Sequence, residues 1–480
     1  MKIPFAIAMV LSCSLLSGAD AATVVVHPQD DGRALTNPDM GFAMYYYADG
    51  AAYGNTISPG DSLAWFPGCS ILYMRLPWAD LEPQEGVFNW SAVDTPAQQW
   101  LSRGGQVAFR VTVSESSMRG IPEWVEKAGA KTVEWKSHGK LLRDPVPDDP
   151  VFMEKFDRFL RAFASRYDGR GEVAFIDVGS LGLWGEGHTQ RTVRLSKADT
   201  QRIARLHIDL HRKHFRRTRL IANDDYTGTN ESDESVAIDH ALACGLGWRD
   251  DSIMVDRHPW FHAKQAQRFW PTAPVILEAG HYSHCRKIGT WDVRTLMEAV
   301  EVHHASYLSI HGDPHLILEE NRTAIDCLNR RMGYRLVPRE VSGPERARVG
   351  VAAEPFVVAW TWANVGVAPC LRDAFPCLTV KDEKGGIVAV FADWDFNLKT
   401  LSVGAAGSAP ASSHGMDVLF GRWQRPQVKA GTYDVYVSVG KCDGTPVFEL
   451  PLPDGDGGRR YRLGRMTFVT DSSGQSEESR

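Results

Sequence analysis

Long apolar runs and basic runs are both missing from this 480-residue sequence. No stretch of about 18 apolar residues, the length that suggests a transmembrane helix, occurs anywhere in the chain. Fifty-three basic residues stand against 59 acidic ones, which gives a formal net charge of −6, and the basic residues are scattered. We therefore expect no membrane span and no nucleic-acid partner.

Several sequence motifs that indicate a metal site, a bound cofactor or a catalytic nucleophile are also missing. No CxxC or HExxH spacing is present, so the sequence predicts no structural zinc site and no metal. No GxSxG motif marks a serine nucleophile, and Ser180 lies in a different pattern. Because no GxGxxG or phosphate loop occurs either, we predict that the protein uses no cofactor.

Cysteine is scarce, with eight residues in the whole chain. Without Cys13, which belongs to the leader described below, an odd number remains, so at least one thiol stays free. Cys370 and Cys377 are the closest pair in the sequence and are predicted to form a disulfide bridge. This is too few cysteines for a disulfide scaffold.

The remaining composition is that of a soluble enzyme-sized protein. Hydrophobic residues make up 43% and charged residues 23% of the chain, which excludes a disordered chain, a collagen-like fibre and a coiled coil. The 15 Trp and 13 Tyr suit sugar binding, because their rings combine apolar area with a polar handle, and they equally suit a large core.

The first 22 residues have the pattern of a secretory signal peptide. Lys2 precedes an apolar run over 5–16, and the small residues Ala19 and Ala21 follow, so cleavage is predicted near Ala21 or Ala22. We expect a secreted or periplasmic protein. Lipid attachment at Cys13 is the weaker alternative.

Residues 23–336 are predicted to form a (β/α)8 barrel. Short apolar segments alternate there with helical stretches, the pattern expected when helices cover a parallel sheet. A doubly wound open sheet is the alternative. One helix is especially clear, with Asp149 as its cap and Pro150 in its first turn. The predicted strands are 41–47, 70–75, 106–113, 173–178, 219–223, 252–255, 273–278 and 306–311.

The pattern changes after residue 336. Short alternating segments separated by turn residues predict a β-sandwich over 337–470, and the polar tail 471–480 is predicted to be disordered. The sandwich is expected to contribute few catalytic groups, and no feature of the sequence specifies an oligomeric state.

Two carboxylates stand out, because barrel enzymes place their sites at the C-terminal ends of the strands. Glu186 lies between two glycines after the fourth predicted strand, and Glu278 ends the seventh. Glycoside hydrolysis needs such a pair, one to protonate the leaving oxygen and one to attack carbon or activate water. The alternative is that one of them forms a structural ion pair with Arg75 or Arg110.

Further polar and aromatic residues at the strand ends are predicted to bind a carbohydrate substrate. Their alternatives are core packing for the aromatic residues and ordinary hydrogen bonding for the histidines. Asp224 and Asp225 with His188 could suggest a metal, but their spacing is not diagnostic of one. The predicted binding residues are Arg75, Trp184, His188, Asp224, His258, Trp260 and Tyr282.

A set of spaced residues starts at the end of the second predicted strand: Arg75, Trp78, Glu82, Pro83, Gly86, Phe88, Trp90 and Asp94. This stretch resembles the β-galactosidase-like barrels of glycoside hydrolase clan A. In that family the stretch is mainly structural, the acid/base Glu ends the fourth strand and the nucleophile Glu ends the seventh. Glu186 and Glu278 occupy those places, although Gly185 stands where the family has Asn.

The segment 182–189 is more similar to a GxWGEWHT motif of a poorly characterised secreted barrel family with a domain of unknown function. The segments 37–42 and 362–369 resemble the same family. The resemblance implies a barrel followed by a sandwich. The sequence therefore predicts a secreted, retaining glycoside hydrolase acting on a β-linked sugar; the alternatives are a barrel that binds carbohydrate without cleaving it and another enzyme class on the same scaffold.

Overall fold

The structure, a computed structural model, describes residues 22–47, 61–227, 235–255, 263–350, 353–405, 407–421 and 428–470. In chain order its strands are β1 (Thr23–Val26), β2 (Gly41–Tyr47), β3 (Cys69–Pro77), β4 (Gln106–Thr112), β5 (Thr132–Ser137), β6 (Lys140–Pro145), β7 (Val173–Asp177), β8 (Leu220–Asn223), β9 (Gly247–Ile253), β10 (Val275–Ala279), β11 (Tyr307–Ile310), β12 (Leu336–Pro344), β13 (Arg346–Arg348), β14 (Phe356–Asn364), β15 (Phe375–Lys381), β16 (Ile387–Ala392), β17 (Ala411–Val418), β18 (Gly431–Gly440), β19 (Pro446–Phe448) and β20 (Tyr461–Val469).

The helices lie almost entirely between the barrel strands. They are α1 (Trp78–Leu81), α2 (Ser91–Ser102), α3 (Glu123–Lys127), α4 (Pro150–Tyr167), α5 (Lys197–His214), α6 (Val236–Ala243), α7 (Ala263–Phe269), α8 (Tyr282–Ile288), α9 (Val293–His303) and α10 (Pro314–Arg331). Among the described residues, none of the helices combines the length and the apolar character that crossing a bilayer requires.

Eight parallel strands close into a barrel in the order β2, β3, β4, β7, β8, β9, β10 and β11, and β11 pairs back with β2. This confirms the predicted (β/α)8 barrel, and the open-sheet alternative is wrong. The hairpin of β5 and β6 is inserted between β4 and α4. The C-terminal ends of all eight strands therefore meet at one mouth.

The sixth barrel strand is the one that the sequence misplaces. The prediction is 252–255, whereas β9 begins at Gly247 and ends at Ile253. The difference arises because Arg249, Asp250 and Asp251 look like a polar loop, yet Arg249 and Asp250 are fully buried. Charged residues enter a barrel strand only when partners on other elements compensate them.

Helix α4 shows how the sequence specifies the outer layer. The side chain of Asp149 accepts hydrogen bonds from the amides of Val151 and Phe152, and Pro150 takes the first helical position. Buried aromatic rings then recur along one face of the helix, where they pack against the barrel. These rings are Phe152, Phe156, Phe159, Phe163 and Tyr167.

Replacing Asp149 by Ala is expected to lower the free energy of unfolding by about 1 kcal/mol, because two helix amides lose their acceptor. Asp149→Asn should change the free energy of unfolding by only a few tenths of 1 kcal/mol, since Asn caps a helix as well as Asp does. Urea unfolding followed by circular dichroism measures both variants. Equal losses for the Ala and Asn variants would contradict the capping role.

The C-terminal part is a β-sandwich, as predicted. One sheet has the order β1, β12, β14 and β17; the other has the order β13, β20, β18, β15 and β16, with β19 paired to β18. Side chains from both sheets share one hydrophobic core, for example Trp360 of β14 and Val437 of β18.

The N-terminal strand corrects the predicted domain boundaries. A barrel over 23–336 would include β1, but β1 pairs antiparallel with β12 of the sandwich, with Thr23 opposite Pro344. The side chains of β1 are largely exposed. The strand is therefore held in place mainly by its backbone hydrogen bonds to β12 at the edge of the sheet. The described part of the chain thus starts on the sandwich, crosses to the barrel and returns.

The predicted bridge between Cys370 and Cys377 is wrong, because both are free thiols. Each sulfur lies beside a backbone carbonyl close in sequence, that of Arg372 for Cys370 at 3.3 Å and that of Phe375 for Cys377 at 3.4 Å. Both side chains are buried in or beside the sandwich core.

Candidate active site

A charged layer lies above the apolar interior of the barrel. Tyr73, Ala108, Phe175, Ile221 and Ile276 belong to that interior. Because side chains alternate along a strand, the residues two positions later face the same way, toward the barrel mouth. These residues are all polar or charged, and they are Arg75, Arg110, Asp177, Asn223 and Glu278.

Arg110 binds three carboxylates, one with each guanidinium nitrogen. Nη1 donates to Glu186 Oε1 at 2.7 Å, Nε to Asp177 Oδ2 at 3.1 Å and Nη2 to Asp251 Oδ2 at 3.1 Å. The Arg110 side chain is 1% exposed. The arginine therefore joins β4, β7, β9 and the loop that follows β7 at one point.

Arg249 of β9 repeats this role on the other side of the mouth. Its Nε donates to Asp177 Oδ2 at 2.8 Å, and its Nη1 lies 3.3 Å from Glu278 Oε2 and 3.5 Å from Asp251 Oδ1. The guanidinium also lies over the ring of Tyr73, 4.4 Å from its centroid. Glu278 is thus held within the same ion network as Glu186.

This network contains two arginines and four carboxylates, those of Asp177, Asp251, Glu186 and Glu278. Burial, reinforced by the charge of Asp251, raises the pKa of Glu186 to about 7, although Arg110 and His188 oppose the shift. The same two causes raise the pKa of Glu278 well above its usual range. Near neutral pH the two glutamates therefore compete for protons, and their titrations are linked.

The loop that carries Glu186 has an unusual backbone. Gly182, Trp184, Gly185 and Gly187 all have positive φ, at 74°, 60°, 78° and 85°. A side chain is rarely tolerated in this region, and a bulky residue such as Trp184 is strained there. The backbone is fixed by a bond from the Leu183 amide to the carbonyl of His188 at 2.8 Å.

Gly185 is needed at its position for two reasons. Its φ is positive, and a Cβ there would lie 2.5 Å from the carbonyl oxygen of Gly179. Gly139, in the turn between β5 and β6, has nearly the same φ, 77°, with open space around it. Alanine at either position would be strained by the positive φ, but only alanine at Gly185 would also clash with neighbouring backbone. Comparing the two substitutions therefore separates the cost of the strained φ from the cost of the clash.

Gly185→Ala is expected to cost clearly more stability than Gly139→Ala. The conformational term is about 1 kcal/mol for both, but only the Gly185 variant must also move the backbone that holds Glu186. Thermal unfolding of the two variants measures the difference. Equal destabilisation would show that the Gly179 contact is easily relieved.

His188 lies on the same loop, between two carboxylates. Its Nε2 is 3.1 Å from Asp225 Oδ2 and 3.6 Å from Glu186 Oε2. The His188 side chain is 36% exposed, which makes it the most accessible member of the group. Burial raises the pKa of Asp225 to about 6, with His188 opposing the shift; Asp224, beside it, is buried, and its pKa is raised well above the usual range by burial and by Asp225.

Histidine and tyrosine rings surround Glu278. His311 Nδ1 lies 3.4 Å from Glu278 Oε1 and donates to the carbonyl of Ala279 at 2.9 Å. Burial, helped by His281, lowers the pKa of His311 well below its usual range. The ring of Tyr45 stacks on that of His311, with centroids 4.9 Å apart. Glu278 is therefore held by the strand itself and by rigid neighbours.

The raised pKa of Glu278 predicts a pH-dependent stability. Folding favours the protonated carboxyl, so its contribution is complete below the pKa of the unfolded chain and is lost as pH rises toward the raised folded value. Glu278→Gln carries no such proton. Its stability relative to wild type should therefore improve between pH 5 and pH 8.

Urea unfolding of both proteins at the two pH values measures this change. Glu154→Gln is the matched control, because Glu154 is exposed on α4, and its difference from wild type should be the same at both pH values. A Glu278→Gln difference that does not vary with pH would contradict the raised pKa.

The other predicted binding residues are placed in different ways. Arg75 donates to Glu115 Oε2 at 3.1 Å beside the network, and Asp224 lies at its edge. Trp184 donates from its indole to Ser116 Oγ at 3.1 Å and packs against the inserted hairpin. Tyr282 is not brought to the carboxylates: its hydroxyl donates to Glu320 on α10. His258 and Trp260 lie outside the described residues.

Sequence reasoning missed Asp177, Arg249 and Asp251, and it treated Arg110 only as an alternative ion-pair partner. Arg249 and Asp251 are two residues apart in one strand, which is the spacing of side chains on the same face. Asp177 ends an apolar strand just as Glu278 does. A carboxylate at the end of an apolar strand is therefore a usable signal, and it applies to Asp177 as well as to Glu278.

Comparisons with known proteins find distantly similar solved structures but no family. No protein-family model matches the sequence, and no curated protein matches it significantly. Among solved structures, the catalytic domain of a β-amylase from Paenibacillus polymyxa is 10% identical at a TM-score of 0.43, covering 61% of this chain and 98% of that one. Endo-glycoceramidase II from Rhodococcus sp. is 14% identical at a TM-score of 0.41, covering 81% and 98%.

An exo-β-1,4-mannosidase from Opitutaceae bacterium strain TAV5 is 13% identical at a TM-score of 0.39, covering 60% of this chain and 55% of that one. Identities and TM-scores in this range transfer no activity. The evidence for a function therefore comes from the residues at the barrel mouth.

Proposed function

We propose that this protein is an exported glycoside hydrolase that cleaves a β-linked sugar by a retaining mechanism, with Glu186 as general acid/base and Glu278 as nucleophile. One observation carries the proposal: four buried carboxylates share two arginines at the barrel mouth, so at least one of them keeps a proton near neutral pH. Two carboxyls in different protonation states are what glycoside cleavage requires.

Glu186 suits the acid role. Burial brings its pKa to about 7, so that the carboxyl is protonated in a useful fraction of molecules near neutral pH. The glycine-rich loop places it next to His188, the most accessible residue of the group. A leaving group entering from the mouth would therefore reach Glu186 together with His188.

Glu278 suits the nucleophile role, because the strand end, Arg249 and His311 fix its position. Its pKa is raised too, so the reactive molecules are those in which Glu186 holds the proton and Glu278, beside Arg249, is ionised. In the first step Glu186 gives its proton to the glycosidic oxygen while Glu278 attacks the anomeric carbon and the bond to the leaving group breaks. In the second step Glu186 takes a proton from water, whose oxygen attacks the anomeric carbon and releases Glu278.

The remaining assignments are parts of the same proposal. Trp184, His188, Arg75 and Asp224 would contact the sugar, and His258 and Trp260 would add to this set. Residues 1–22 would act as a signal peptide and direct the mature chain to the periplasm or the medium.

Carbohydrate binding without cleavage is the second candidate, and one contact favours it. Glu186 Oε1 lies 2.7 Å from Arg110 Nη1, which favours the ionised carboxylate and would weaken an acid. In that case the same mouth would hold a sugar through its charged and aromatic groups.

The two roles predict different mutant behaviour on a panel of aryl glycosides. Glu278→Gln should lower kcat by about 10³-fold or more on every substrate, because an amide cannot form the covalent intermediate. Glu186→Gln should lose about 10²- to 10⁴-fold on poor leaving groups and far less on activated ones, whose departure needs no protonation. Steady-state rates across the leaving-group series measure this pattern.

Glu154→Gln should leave all rates unchanged. Equal loss on good and poor leaving groups for Glu186→Gln would remove the acid role. Binding of a sugar in calorimetry without turnover of any aryl glycoside would favour the second candidate.

A further inference from the structure

A second cluster of chemically versatile side chains lies on the outside of the barrel. Asp209 belongs to α5, His240 to α6, and Cys244 follows α6 directly. His240 and Cys244 are four residues apart, and the amide of Cys244 still donates to the carbonyl of His240 at 2.9 Å. The two side chains therefore share one face of the helix end, which is turned toward Asp209.

The three ligand-type atoms converge on one ring nitrogen. His240 Nε2 lies 2.8 Å from Asp209 Oδ1 and 3.7 Å from Cys244 Sγ. One ligand atom from each residue can be chosen so that all lie within 4.8 Å of one another. Metal-ligand bonds of about 2.0–2.3 Å in a tetrahedral zinc site place ligand atoms roughly 3.3–3.7 Å apart. Small side-chain movements would meet this geometry.

We propose that Asp209, His240 and Cys244 form a binding site for one Zn²⁺ ion, with water as the fourth ligand. Sulfur, imidazole nitrogen and carboxylate oxygen are the donors that zinc takes, whereas Mg²⁺ and Ca²⁺ require oxygen. The Asp209 side chain is 53% exposed and that of His240 21%, so an ion and a water molecule can approach. Among the described residues this is the one such group.

Binding would follow a simple proton balance. The thiol of Cys244 loses one proton to solvent, and His240 moves its proton from Nε2 to Nδ1 so that Nε2 can coordinate. Burial raises the pKa of Cys244, and Arg212 lies 3.7 Å from Asp209 Oδ1. The ion must therefore displace a proton from the thiol and compete with Arg212 for the Asp209 carboxylate.

The site is remote from the proposed catalytic centre. Cys244 precedes β9, which begins at Gly247, so the cluster is at the N-terminal end of the barrel strands, opposite the mouth. A metal here would join α5 to α6 and stabilise the fold. The proposal is therefore independent of the glycosidase proposal.

Co²⁺ is the probe for the test, because a cobalt-thiolate bond absorbs in the near ultraviolet and a tetrahedral site absorbs in the visible. The full-length protein, treated with EDTA and desalted, should show both bands at one Co²⁺ per chain, and Zn²⁺ should abolish them. Cys244→Ser should lose the near-ultraviolet band. His240→Ala should weaken Co²⁺ binding by at least the roughly 10- to 100-fold that loss of an outer-shell partner costs.

Cys327→Ser is the matched control, because Cys327 is a half-buried thiol on α10, and it should retain both bands. Glu186→Gln and Glu278→Gln should retain them as well, which separates this result from any result on sugar cleavage. Absence of the bands in the wild-type protein, or their persistence in Cys244→Ser, would overturn the proposal.

Discussion

The carboxylate of Asp177 is the interaction on which the barrel mouth depends. Its Oδ2 accepts bonds from Arg110 Nε, Arg249 Nε and the Tyr73 hydroxyl, so one oxygen holds two buried cations in fixed directions. A buried arginine without a carboxylate would be strongly destabilising. Asp177 makes both arginines possible, and the arginines in turn orient Glu186 and Glu278.

The two glutamates are positioned by different means. Glu278 belongs to β10, and its direction follows from the strand pleat. Glu186 depends on a loop in which three glycines and Trp184 have positive φ, a conformation that costs stability and persists where surrounding structure enforces it. Strain of this kind is typical of functional sites, and here it brings a carboxyl from beyond the end of β7 back over Arg110.

The sequence predicts a feature well where residues within a single helix or strand determine it. Helix α4 follows from its cap and its aromatic face, and Glu278 follows from ending an apolar strand. It was uninformative where partners lie far apart in the chain. Arg249 and Asp251 face the mouth, while Asp250 on the other side of β9 bonds His303 of α9 at 3.2 Å. Their charges are compensated only in three dimensions, so the strand resembled a loop.

The contact between Glu186 and Arg110 bears directly on whether Glu186 can hold a proton. A single arginine devoted to Glu186 would fix that carboxyl as an anion and make it a poor acid. Arg110, however, also binds Asp177 and Asp251, and Asp251 raises the pKa of Glu186. One positive charge divided among three carboxylates cannot neutralise them all. A sugar that displaces water from the mouth would reduce the solvent screening of the repulsion among these carboxylates. Glu186 would then bind a proton more readily as the substrate binds. The ion pair with Arg110 is therefore compatible with an acid role.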